Sequence, residues 1–287
     1  MAKIGLGDVI DMPVNYNRQY HADITKEVPG ESYYGLTRAM EPFPKKQTAL
    51  CVMHVWNTGL DPNIPWGADS PVAGWWRAVE YVGRAMSITQ NVLPGVMDTT
   101  RAVGIPLIHI ATPNHSYPER FPQYSALREE AGAEPPKQEG AVGPNWREWY
   151  GSQMWSSENA KDIRKGAPHL DFAEDVVPKE GEHIACTSHE LNHLCRREGI
   201  WNLVYVGFAL NWCLWFSPCG MVDMNRLGYR CSTIRGATTA VEFRDTARDQ
   251  KALEYAYWHT ATMFGYVIDL DDYMSTLSQF VVRWPDR

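Results

Sequence analysis

Short, nearly unbroken apolar runs separated by stretches of helical character restrict this chain to a narrow set of folds. Residues 48–55 read TALCVMHV and residues 107–111 read LIHIA. Further runs occupy 202–206, 229–234 and 266–270. A strand that is apolar on both faces must be covered on both faces, and parallel strands joined by helices provide that cover. Between the first two runs, Ala78, Val79, Val82, Ala85 and Met86 recur at helical spacing in a helix over 75–103, with a break at Pro94-Gly95. One β-α-β unit follows, and its crossover must be right-handed. Repetition of the pattern predicts a three-layer α/β/α fold with a mostly parallel, Rossmann-like sheet, whose site lies at the carboxyl ends of the strands.

The remaining elements are placed by local signals. Thr187-Ser188-His189-Glu190 is a capping box that opens a helix to Glu198, stopped at Gly199. Residues 175–179 form a short strand-like lead, 242–263 a long helix, and the tail a last strand and a capped turn of helix. Residues 1–46, rich in Gly, Pro, Tyr and Asn, read as an irregular N-terminal arm ahead of a domain spanning 47–287. Within that domain, about 113–171 is too punctuated by Pro and Gly for an ordinary connection. It reads as an insertion that covers the site, with a short helix around 146–155.

Composition excludes several classes of function. The net charge is −7 with 21% charged residues, and no basic block or basic-aromatic stripe occurs, so nucleic acid is not an expected partner. The first residues lack a signal-peptide core and no run is long enough to span a bilayer, which predicts a cytoplasmic protein without membrane contact. Six cysteines, at 51, 186, 195, 213, 219 and 231, lie mostly in apolar segments without a CxxC pair, the usage of reduced thiols. The twelve tryptophans include Trp75–Trp76, Trp146, Trp149 and Trp155, which are candidates for a pocket wall or lid.

Chemistry is most concentrated in residues 201–220, WNLVYVGFALNWCLWFSPCG. A buried strand, a sharp turn at Gly207 and a helix from Trp212 would set Cys213 in a first helical turn. There the helix dipole favours the thiolate that attacks carbonyl carbon. A free cysteine among Leu, Trp and Phe is otherwise a small buried hydrophobe. His189-Glu190-Leu191-Asn192-His193 satisfies the HExxH pattern of zinc peptidases. Leu191, Leu194 and Cys195 form the apolar face of that helix, which turns both histidines to solvent, and no third ligand is identifiable by spacing. No metal or other cofactor is therefore expected.

Gly207-Phe208-Ala209-Leu210-Asn211-Trp212-Cys213-Leu214, followed by Ser217 and Gly228-Tyr229, resembles the isochorismatase-like cysteine hydrolase family, which includes nicotinamidases and other small-molecule amidohydrolases. The likeness runs in order from about Thr48 to Met274. It implies that Cys213 is the nucleophile, that Lys179 is the site lysine within a residue of slippage, and that the Phe208–Ala209 peptide is cis. It also implies an oxyanion hole built from the backbone amides of Ala209 and Cys213. The family's first strand normally ends in an aspartate that takes the cysteine's proton. His54 stands at that position here, and an imidazole can do the same work. Asp61 is an alternative acid or base. Trp56, Asn57, Phe208 and Trp212 are candidate pocket residues, and Arg235 is expected to pair with an acidic neighbour.

Three functions follow from these readings. The leading one is a cofactor-free hydrolase that cleaves an amide-type C–N bond of a small molecule through a Cys213 acyl-enzyme, in a homo-oligomer. The others are a catalytically silent binding protein and a zinc metallohydrolase using His189, Glu190 and His193.

Overall fold

The computed structural model describes residues 8–58, 80–136 and 169–283. Its strands are β1 (Val9–Arg18), β2 (Gly35–Pro44), β3 (Thr48–Met53), β4 (Leu107–Ile110), β5 (His183–Ala185), β6 (Asn202–Gly207), β7 (Arg230–Thr238) and β8 (Val267–Asp269). The helices are α1 (Val82–Asn91), α2 (Leu93–Ala102), α3 (Tyr117–Arg120), α4 (Pro122–Ala131), α5 (Ser188–Glu198), α6 (Met221–Arg226), α7 (Lys251–Met263) and α8 (Leu270–Arg283). One eight-stranded sheet has the order β2-β1-β8-β7-β6-β3-β4-β5. Strands β3 to β8 run parallel, and the β1–β2 pair is antiparallel.

The doubly apolar strands are covered as their sequences require. Ala49, Cys51 and Met53 of β3 pack with Leu191 and Leu194 of α5, Met224 of α6 and Tyr257 of α7. Leu50 and Val52 face the other way, against Leu93, Val96 and Met97 of α2 and Tyr273 and Leu277 of α8. Each large apolar side chain buried in this way stabilises the fold by roughly 1.5–3 kcal/mol. Helix α1 ends at Asn91 and α2 restarts with Pro94 in its first turn, where no amide donor is needed. The capping box of α5 forms with both of its bonds, and Gly199 adopts the left-handed conformation that ends the helix. Among the described residues, no helix is long and apolar enough to cross a membrane.

Four expectations are corrected. The irregular arm is instead the β1–β2 hairpin, with Ile10, Met12 and Val14 buried on alternate positions. It joins the sheet where β1 lies antiparallel to β8 at Asn15 and Val267. The long connection over 19–34 separates the two strands and hides the hairpin from short-range turn signals. The strand-like lead at 175–179 is not a strand: residues 174–176 form a 3-10 turn, and the strand comes later, at His183–Ala185. The helix expected over 242–263 begins only at Lys251. Glu242 is buried and accepts from the amides of Ala252 and Leu253, so it caps α7 from outside. The capped turn expected at the tail extends into a full helix, α8. Asp61, the tryptophan pairs at 75–76 and 146–155, and the helix expected around 146–155 lie outside the described residues.

Two physical constraints are directly testable. Gly207 has φ +111°, and a Cβ there would lie 2.0 Å from the Met53 carbonyl oxygen. Gly207→Ala should therefore lower unfolding stability by more than about 3 kcal/mol in urea titration. Away from the carboxyl edge, buried His109 lies with Nε2 2.8 Å from Glu182, which also accepts from Arg101 Nε at 2.6 Å. Burial pushes the His109 pKa down, so the neutral ring donates to the carboxylate. Burial alone would raise the Glu182 pKa, but the bonds from His109, Arg101 and the Lys179 amide reverse this and bring it to about 2. Both groups bind protons more readily when unfolded. Stability is thus complete above pH 6.5 and declines first as His109 charges, then between about 4.5 and 2 as Glu182 protonates. Glu182→Gln should cost about 1–3 kcal/mol at neutral pH and flatten the lower part of that acid decline.

Candidate active site

Strands β3 and β6 are neighbours at the middle of the sheet, and their carboxyl ends carry the site. Immediately after β3, His54 takes a left-handed backbone conformation, φ 52°, which histidine tolerates better than most residues. Its amide donates to Ile110 at 3.0 Å, and its ring stacks on Trp56 with centroids 5.0 Å apart. Immediately after β6, the Phe208–Ala209 peptide is cis. Leu210–Leu214 then form one π-helical turn, in which the Trp212 and Leu214 amides both donate to the Ala209 carbonyl at 3.1 Å.

The helix expected from Trp212 does not form as one element: the π-turn ends at Leu214, and α6 begins only at Met221. Leu210 donates to Thr239 at 2.7 Å, and the Asn211 side chain makes two bonds to Val241, so the segment after β7 holds the start of the turn. At the other end Gly220 closes the chain tightly: a Cβ there would lie 2.7 Å from the carbonyl oxygens of Trp215 and Ser217. Cys213 thus sits in a short turn rather than in the first turn of the expected helix.

His54, Trp56, Phe208 and Cys213 line one cavity of about 210 Å³. Tyr81, Val82, Ala85, Met86 and Thr89 supply a second wall, and Thr58, Thr112 and Leu170 also line it. Among the described residues that line it, none is an aspartate, glutamate, lysine or arginine. The α1 residues have the helical spacing that reads as core in the sequence, and only their position facing the β3 and β6 ends shows that they face a cavity.

The electrostatics follow from burial. Desolvation brings the His54 pKa to about 4. It also raises the Cys213 thiol, against the opposing pull of hydrogen bonds from the Ser217 hydroxyl and the Ala209 amide. At neutral pH both groups are uncharged, which corrects the expectation of a resting thiolate. Burial, and next the neighbouring Cys213, raise the Tyr81 hydroxyl, so it is a neutral donor on the cavity wall. Tyr81 and Ser217 are site residues that no sequence pattern assigned a role.

Lys179 is not brought to this cavity. It lies ahead of β5, at the amino edge of a parallel sheet whose site is at the carboxyl edge. Its side chain is 62% exposed and its Nζ is 3.4 Å from Asp98. The residue that follows β5 is Cys186, buried with Tyr117, Phe121, Tyr124 and Phe172. Asn57 is likewise structural, clipped to Asp171 and to the His169 carbonyl. Trp212 borders the outer side of Cys213. Arg235 forms ion pairs with Asp269 and Glu254.

The HExxH residues are committed elsewhere. Glu190 accepts from the amides of Cys186 and Thr187 in the capping box. His189 bonds to the Ala131 carbonyl, and His193 lies 3.8 Å from Glu130, so both face α4 and its end rather than open solvent. Among the described residues, no group of three or more His, Cys, Asp or Glu side chains could hold a metal ion.

No family model and no curated protein matches the chain. Among solved structures, it is similar to a cysteine hydrolase from Pseudomonas syringae pv. phaseolicola, with 14% identity over 84% of this chain and 96% of that one and a TM-score of 0.49. It is also similar to an isochorismatase family protein from Burkholderia thailandensis, at 15% identity, 81% and 96% coverage and a TM-score of 0.43. A third, from Desulfovibrio vulgaris and also an isochorismatase family protein, gives 19% identity, 81% and 98% coverage and a TM-score of 0.43. All three scores lie below 0.5, and the fold assignment rests on the strand order itself.

Cys213 is partly exposed and the other five cysteines are buried. Iodoacetamide should therefore label Cys213 selectively, slowly at neutral pH and faster through and above pH 9, the ordinary thiol range. Ser217→Ala should move the midpoint of that profile higher, as read by mass spectrometry.

Proposed function

We propose that the chain is an isochorismatase-like cysteine hydrolase that cleaves a C–N bond, of amide type, in a small uncharged molecule. The observation that carries this reading is the shared cavity. Cys213 and His54 line it together, and the Ala209 amide is turned toward the sulfur. In this mechanism the sulfur attacks the carbonyl carbon as its proton passes to neutral His54. The amides of Ala209 and Cys213 hold the oxyanion. His54 returns the proton to the leaving nitrogen, the C–N bond breaks, and water then hydrolyses the thioester. Since neither partner is ionised at rest, proton transfer accompanies attack rather than preceding it.

Among the described residues that line the cavity none is acidic or basic, which supports an uncharged substrate, because a buried charge without a partner is heavily penalised. The same neutrality, with Lys179 elsewhere, favours a second reading: a silent binding protein that keeps the pocket without the chemistry.

Turnover separates the two. Cys213→Ala should abolish hydrolysis with an unchanged unfolding temperature, and retained hydrolysis in that variant would remove the proposal. His54→Asn keeps a side chain suited to the left-handed backbone but lacks the proton acceptor, and should lower kcat/KM by about 10²–10⁴-fold. The native enzyme should lose activity in acid with a midpoint near 4, as His54 charges, and be level across neutral pH. That acid limb should be missing in His54→Asn.

A further inference from the structure

Cys213 belongs to two concavities. On its inner side is the cavity of about 210 Å³ shared with His54. On its outer side is a more open depression of about 400 Å³, lined by Asn211, Trp212, Cys213, Phe216 and Ser217. The two aromatic residues flank the sulfur at one residue before and three after, adjacent positions on a helical turn. Phe216 is 69% exposed and Trp212 40% exposed. The polar groups beside them are already engaged, Asn211 with Val241 and Ser217 with the Cys213 sulfur. What this depression offers a ligand is aromatic surface. Behind Phe216 lies buried Trp215, with ring centroids 5.9 Å apart, which backs this surface from the core.

We propose that Trp212 and Phe216 form a subsite for the amine half of the substrate, making the substrate a secondary amide of a compact uncharged acid with an apolar, preferably aromatic, amine. This rests on the hydrolase reading. A nucleophile in the wall between two concavities meets the scissile carbonyl with its two substituents diverging into them. The amine leaves first and must depart while the acyl group is still bound, so it occupies the open side and the acyl group the enclosed one. In the first step the sulfur–carbon bond forms, the carbon–nitrogen bond breaks, and the thiol proton leaves on the amine through His54. Water then releases the carboxylic acid and restores the thiol.

The subsite is read without turnover by alkylating the full-length protein with chloroacetamide and with N-benzyl chloroacetamide at one alkaline pH, with the label mapped to Cys213. The benzyl reagent should react roughly tenfold faster, the scale of one good aromatic contact. Trp212→Ala and Phe216→Ala should each erase most of that preference, and Phe216→Tyr, which keeps the ring, should retain it. No preference in the native protein, or one that survives both alanine substitutions, overturns the subsite. Hydrolysis is measured separately on butyramide and N-benzyl butyramide, where the benzyl amide should have roughly tenfold higher kcat/KM. Equal turnover of the two overturns the secondary-amide assignment and leaves the hydrolase standing. Turnover of neither, with the labelling preference intact, overturns the hydrolase reading and leaves an aromatic ligand subsite at Cys213.

Discussion

The close contact between Met53 and Gly207 holds the site together. Strands β3 and β6 pair in register up to these two residues, and the next amide, that of Phe208, donates to the Met53 carbonyl at 3.1 Å. Only a residue without a side chain allows the backbones to approach so closely at that φ. From this point the two chains diverge, one into His54 and the other into Phe208, Ala209 and the turn that carries Cys213. The cavity between them is therefore a consequence of the central strand pairing, and α1 closes it from the side.

Burial then decides the chemistry available. The same desolvation that raises the thiol lowers the imidazole, so the pair rests uncharged, and the Ser217 and Ala209 donors temper the sulfur without ionising it. Charge is concentrated elsewhere. Glu182, Arg101 and Asp98 form a bonded group with His109 and Lys179 ahead of β5. A parallel sheet separates its two edges, so a lysine placed before a strand cannot serve a site placed after it. That is why Lys179, close in sequence to where a site lysine is implied, has a structural position.

Much of this architecture was legible in the chain. The doubly apolar runs require a covered parallel sheet, Pro94 marks the α1–α2 break, and the capping box at Thr187 marks the start of α5. Other features were hidden because the signal was shared by two outcomes. Val82, Ala85 and Met86 have the same spacing whether they face a core or a cavity. Glu190 satisfies a zinc motif and a capping box with one side chain, and the backbone geometry at Cys186 and Thr187 selects the cap. The β1–β2 hairpin lacks a short turn, so its alternation carried no visible partner.

The amino-acid sequence alone determined the layered α/β class, the strand that leads to Gly207, and a cysteine six residues beyond it, because periodicity and glycine placement are local properties. The tertiary structure decided that His54 shares the cavity with Cys213, that Lys179 does not, and that Cys213 opens on two sides. Those outcomes depend on which strand ends are neighbours, on which edge of the sheet each residue reaches, and on how much water burial removes from each ionisable group, none of which a local pattern contains.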